Sequence, residues 1–236
     1  MSFEVGEPIL NAPFEEPRRY WYIQEGESPR LIEGERRPAM VFQPRDQRDD
    51  WPFEDGVLRR LPNYERAYEL LLVSLIRERM TAWRNAGYPG ATRTTLDLLA
   101  HWSREGRAQR LFFAQIEAAE TVIFLKEARS DFLQGIEVPR EPLSEETVAR
   151  GYRGFERAAC KMATGAGKTT VMAMLAAWSI LNKVNNRADG RFSDAVLVVT
   201  PNVRIRDRLR ELDPDAGEAS VYRTRDLVPP HLMPFL

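Results

Sequence analysis

Met162-Ala-Thr-Gly-Ala-Gly-Lys-Thr-Thr170 is the stretch that decides how this chain is read. It has the pattern of a phosphate-binding loop set between a strand and a helix. Successive backbone N–H groups in such a loop turn inward and form a concavity for anions. Gly165 and Gly167 allow the tight path and a close approach of backbone to phosphate oxygens. The helix that follows points its N-terminal dipole at the same charge. Thr164, Gly165, Ala166, Gly167 and Thr170 would make the cradle. Lys168 and Thr169 are the catalytic candidates: the ammonium reaches the β and γ phosphates, and the hydroxyl ligates Mg²⁺. One departure stands out: the strict pattern has Gly six residues before the lysine, and this chain has Met162. A glycine-rich turn is the plain alternative, but a turn has no need of the Gly-Lys-Thr order.

The flanks predict an α/β arrangement. Ala158-Ala-Cys-Lys-Met162 reads as a short buried strand entering the loop, with Cys160 buried in it. Thr169 to Val184 has no Gly or Pro and is apolar nearly all round, so it reads as a buried helix. Ala195-Val-Leu-Val-Val-Thr200 reads as a second buried strand, and Asn202 as the N-cap of a helix with Ile205, Leu209 and Leu212 inward. Strand, helix, strand, helix predicts a parallel sheet flanked by helices, with its ligand at the carboxyl ends of the strands. Only four lysines stand among the 34 Lys and Arg residues, and Lys168 is one of them. A compact ammonium suits a phosphate cradle better than a planar fork.

Composition bounds the function further. A length of 236 residues allows one large domain or two small ones. The formal net charge of -1 gives no global field for nucleic acid, so any such contact must be local. The single cysteine excludes an internal disulfide and a cysteine-built zinc site. The acidic N-terminus is not a secretory signal, and no apolar run approaches membrane-spanning length. A cytoplasmic protein without a membrane partner is expected.

Residues 1–105 read as a mixed α+β accessory region. Arg19–Ile23 and Ala39–Phe42 can be strands, Gly26–Pro29 a turn, and Arg45–Asp50 a solvated loop. A helix is predicted from Asn63 to Asn85, with Tyr68, Leu72, Leu75, Ile76, Met80 and Trp83 at helical spacing, stopped by Gly87–Gly90. Thr94–Ser103 predicts a shorter helix, with His101 at the edge of its apolar face and not a metal ligand. Arg110–Glu127 carries a third stripe, and 129–152 reads as a loop-rich insertion. The tail from Asp213 has weak strand character at Ser220–Tyr222 and closes no element.

Taken together, the loop, the segment Val198-Val-Thr-Pro-Asn202 and the helix start Ile205–Leu209 resemble superfamily 2 helicases. Within them the chain looks most like the helicase subunits of type III restriction enzymes. The resemblance covers Arg107 to Leu236 and implies a RecA-like nucleotide-binding domain over about 106–236. It implies ATP and Mg²⁺ as cofactors, duplex DNA as partner, and a DNA methyltransferase or specificity subunit as the candidate protein partner. It places Arg110-Leu-Phe-Phe-Ala-Gln115 at the adenine-reading segment, where Gln115 would read the base and Phe112 or Phe113 would pack on it. An exposed Gln on an ordinary amphipathic helix is the alternative. Thr200, Pro201, Asn202 and Arg206 fall where such proteins touch the nucleic-acid backbone, with Arg204, Arg208 and Arg210 nearby; a solvated helix face is the alternative.

The same resemblance would require an Asp-Glu pair on a hydrophobic strand, and the sequence has no Asp-Glu dipeptide. It would require a second RecA-like domain with an arginine finger, and none is present. A nuclease would require Asp/Glu-x-Lys, and no lysine has Asp or Glu two residues before it. The chain therefore reads as an incomplete ATP-binding portion of a restriction translocase-helicase, cut before the Asp-Glu motif. A signal-recognition-type GTPase and a non-catalytic nucleotide- or DNA-binding fragment are the competing readings.

Overall fold

The computed structural model describes residues 9–23, 27–42, 58–60, 67–138, 140 and 142–236. Near the N-terminus, β1 (Arg19–Tyr22) pairs antiparallel with β2 (Arg30–Glu33). A second small sheet has β3 (Met40–Phe42) and β4 (Leu58–Arg60) on either side of β5 (Ala67–Leu70), all antiparallel. Arg45–Asp50 and Gly26 fall outside the described residues.

Three longer helices build the centre: α1 (Leu71–Asn85), α2 (Arg93–Ser103) and α3 (Phe113–Glu127). The first begins later than its periodicity predicts. Tyr68 lies in β5, opposite Val41 and Arg60, and residues 63–66 lie outside the described ones. Two neighbouring strands claim the backbone of Ala67–Leu70, and that pairing overrides local helical spacing. Helix α2 starts where Thr92 accepts a hydrogen bond from the Thr95 amide (3.1 Å), a side-chain cap. The 129–152 insertion contains one short helix, α4 (Glu145–Ala149).

The helix after the glycine loop, α5 (Lys168–Asn185), is the hub. It buries Val171, Ala173, Met174, Ala177, Trp178 and Leu181, and packs against α3 and α2. Met80, Trp83, Leu98, Trp102, Ile123 and Phe124 complete the same hydrophobic core. Inside it, the Glu127 carboxylate accepts from the Thr92 amide (2.7 Å), the Thr95 hydroxyl (2.6 Å) and the Trp178 indole (2.6 Å). Asn182 on α5 donates to the Thr95 hydroxyl at 3.0 Å. The network ties the loop's helix to α2 and α3.

The expected parallel sheet is not formed. All strand pairing among the described residues is antiparallel, and neither 158–162 nor 195–200 is a strand. Cys160 is exposed, and Val196 to Val199 are exposed too, Leu197 at 88%. Strand propensity expresses fit to a paired and covered surface, so an extended apolar segment without a partner stays a solvated chain.

The C-terminal part also departs from expectation. α6 (Val203–Arg208) is only six residues long and runs into a 3₁₀ turn at Leu209–Leu212. Ile205 is exposed, while Leu212 packs against the core. Ser220–Tyr222 is not a strand: Val221 begins the short helix α7 (Val221–Thr224), after a 3₁₀ segment at Pro214–Ala219. Val221, Tyr222, Leu227 and Val228 are buried, so this tail closes one side of the core. The Trp102 indole donates to the Leu227 carbonyl at 2.7 Å, and the Arg107 guanidinium donates to the carbonyls of Arg225 and Asp226, both at 2.8 Å.

Candidate nucleotide site

Gly165 and Gly167 have φ of 82° and 80°, in the left-handed region. A Cβ at Gly165 would meet open space, whereas one at Gly167 would run into the Gln115 carboxamide. Gly167 is the N-cap of α5, so the loop delivers its backbone to the N-terminus of an 18-residue helix. Lys168 is exposed, and its ammonium donates to the Ala163 carbonyl across the loop at 2.9 Å. Thr169 is half-buried and Thr170 buried. A compact cation and a hydroxyl thus stand at the start of α5, directly after the loop's second glycine.

Gln115 braces the loop from α3. It is buried, on the first turn of α3. Its Oε1 accepts from the Phe112 amide (2.9 Å), and its Nε2 donates to the Ala166 carbonyl (3.1 Å). Nothing in the spacing of Arg110–Gln115 indicates the second contact, because its partner lies 51 residues on in the chain. Phe112 and Phe113 are both half-buried. Phe112 meets the Phe14 ring, with centroids 5.6 Å apart, and Phe113 meets the Arg36 guanidinium at 5.5 Å. The Arg110 guanidinium lies 4.4 Å from the Phe14 ring centroid.

The fit to a Mg-nucleotide rests on this structure's own features. The loop has its two left-handed glycines, one of them in a space a side chain would fill. Among the described residues its lysine bridges to the loop's own carbonyl, and the adjoining threonine is half-buried. Among the described residues no group of three or more His, Cys, Asp or Glu is placed to hold a metal ion.

Residues 103–216 match the family model of the type III restriction enzyme, res subunit. The matched segment takes in α3, the phosphate loop, α5 and the Thr200–Arg210 region. It is a fragment of the chain, and the family model describes a helicase-like domain. No curated protein and no solved structure matches the chain.

The remaining sequence candidates lie apart from the loop contacts. Asn202 caps α6, accepting from the Ile205 amide at 3.0 Å, and the Thr200 hydroxyl donates to the Asn202 carbonyl at 3.3 Å. Pro201, Asn202 and the arginines 204, 206, 208 and 210 are exposed. Arg206 and Arg210 both pair with Asp207, at 3.3 and 3.6 Å. His101 makes a local cluster in which its Nε2 meets the Asp226 carbonyl (2.9 Å) and carboxylate (3.1 Å), with Arg104 beside the ring. No helix among the described residues is long and apolar enough to cross a membrane.

Proposed function

We propose that residues 103–216 are the ATP-binding element of a DNA translocase-helicase of the restriction type. The observation that carries this reading is the loop itself. Left-handed Gly165 and Gly167 lead into the N-terminus of α5, with Lys168 and Thr169 at its mouth. In the proposed complex the Lys168 ammonium leaves the Ala163 carbonyl for the β and γ phosphates. Thr169 would hold the Mg²⁺, and the amides from Thr164 to Thr170 would wrap the phosphates. The Mg-nucleotide would supply the polarised terminal phosphoryl group; the chain's residues bind and orient it.

The 158–162 and 195–200 segments, unpaired in this structure, are proposed as the positions that become strands once a RecA-like sheet covers them. The uninterrupted apolar run Val196–Val199 suits a strand covered on both faces. Thr200, Pro201, Asn202 and Arg206 are the proposed contacts to the backbone of duplex DNA, a role that needs exposure and positive charge and no base reading.

The test is calorimetric titration of the whole chain with Mg-ATP. Binding is expected, and Lys168→Ala should abolish it while leaving the thermal melt unchanged. Equal affinity in the two proteins removes the basis of the reading. Mg-GTP in the same titration separates the ATP reading from that of a signal-recognition-type GTPase.

A further inference from the structure

Helix α3 begins without a capping side chain of its own. Phe112 stands at the N-cap, where Ser, Thr, Asp or Asn would supply an oxygen, and a phenyl ring supplies none. Two acceptors from elsewhere take the place of that oxygen. Gln115 Oε1 accepts the Phe112 amide at 2.9 Å, and the Pro13 carbonyl accepts the Phe113 amide at 2.9 Å. Pro13 belongs to the strap that precedes β1, far earlier in the chain and outside the family-matched segment.

The strap is held in turn. Asn11 accepts the amides of Arg18 and Arg19, at 3.0 and 3.1 Å, and Phe14 packs against the Phe112 ring. Arg36, in the chain following β2, pairs with Glu16 of the strap at 3.6 Å and grips both carboxylate oxygens of Glu117 on α3. Its guanidinium also lies 5.5 Å from the Phe113 ring centroid. The Arg36 and Glu117 side chains are only 20% and 14% exposed, so solvent screens this pair far less than one on the surface. A helix advances about 100° per residue. Phe113 and Glu117, one turn apart, therefore share a face, and Gln115, between them, points away from it. On that other side its Nε2 donates to the Ala166 carbonyl, inside the phosphate loop, at 3.1 Å. The first turn of α3 is thus gripped by the strap and Arg36 on one side and braces the loop on the other.

We infer that Arg36 is a positioning residue for the phosphate loop: with the strap it holds the first turn of α3, and through Gln115 that turn fixes the loop at Ala166. The inference rests on the nucleotide reading above and adds to it that phosphate affinity depends on residues of the N-terminal region. A first turn that loses the Pro13 acceptor and the Glu117 grip frays, since its own sequence leaves it uncapped. Gln115 frays with it, and the loop loses its brace.

Calorimetry on the full chain with Mg-triphosphate, the inorganic chain without a base, tests it. Wild type should bind. Arg36→Gln removes the charge and should weaken triphosphate about three- to tenfold, the range of a lost helix cap. The deciding arm is the double variant. In a Gln115→Ala background Arg36→Gln should cost nothing further, because the strut it acts through is gone. An Arg36 that served the fold alone would add its loss to that of Gln115→Ala. Amide exchange in wild type needs no variant and stands even if Arg36→Gln fails to fold: by linkage, triphosphate should slow exchange at Phe113. Unchanged affinity in Arg36→Gln, losses that add in the double variant, or exchange at Phe113 unmoved by saturating triphosphate overturns the positioning role while the phosphate site stands. Failure of wild type to bind triphosphate at all overturns the nucleotide reading and this inference with it.

Discussion

The Gln115 carboxamide donates to the carbonyl of Ala166, inside the phosphate loop, at 3.1 Å. The same group accepts the Phe112 amide at 2.9 Å, so one buried side chain joins the start of α3 to the loop. A Cβ on Gly167 would collide with it, which makes the glycine and the glutamine a matched pair. Gln115→Ala removes the strut, and the loop's path should loosen. The expected outcome is weaker binding of both ATP and inorganic triphosphate, by roughly five- to tenfold if about 1 kcal/mol of hydrogen bonding is lost. If only ATP weakens and triphosphate binds as before, Gln115 acts on the base instead. Titration with both ligands separates the two roles.

Glu127 is the anchor of the helical core. Its carboxylate takes three donors, from Thr92, Thr95 and Trp178, and it is buried. Glu127→Ala strands those donors in an interior that water does not reach. Such groups cost about 1–3 kcal/mol each when left unpaired, so a loss of about 3 kcal/mol or more is expected in a denaturant melt. Glu127→Gln should cost less, because one amide oxygen still accepts, yet its NH₂ then faces donors. A melt of Glu127→Ala within 0.5 kcal/mol of wild type, roughly the noise level of a neutral surface change, contradicts this role.

The legible parts of this protein are the local ones. α2 and α3 follow from 3.6-residue spacing, α5 follows from a long apolar run without Gly or Pro, and the loop follows from two glycines and a lysine at fixed offsets. The Asn202 cap is likewise set by a neighbour three residues away. The missed parts depend on partners remote in the chain. Val196 to Val199 have strand character, but a strand exists only against another strand, and here they lie exposed. Tyr68 fits a helical stripe and is nonetheless paired to Val41. Phe14 carries no motif at all; its place beside Arg110 and Phe112 exists only once the strap has folded onto α3.

His101 makes stability depend on pH. Burial, then the neighbouring Arg104 charge, lowers its pKa below the ordinary 6.5, although contact with Asp226 works the other way. In the window between the folded pKa and 6.5 the unfolded chain binds more protons at this site. The contribution of His101 is therefore fully present above that window and is lost as pH falls through the folded value. Melts between about pH 7.5 and 5.5 should show stability declining on acidification. His101→Gln, which cannot titrate, should flatten the decline. An unchanged pH slope in the variant assigns the decline to other groups.

Arg206 is exposed on α6, just beyond Thr200-Pro-Asn202, with only Asp207 as an ion-pair partner among the described residues. A pair this exposed is worth little, so its guanidinium can exchange Asp207 for a phosphate at small cost. Contacts of that kind release counterions and read no sequence. DNA binding by the chain should then be weak, equal across duplex sequences, and steeply reduced by salt. Arg206→Ala should weaken every duplex alike and lower the slope of log affinity against log salt by about 1, the signature of one lost phosphate contact. The decisive measurement is a fluorescence anisotropy titration at several salt concentrations, with two unrelated duplexes. A preference between the duplexes, or a slope unmoved by Arg206→Ala, would mean that the DNA is held elsewhere on the molecule.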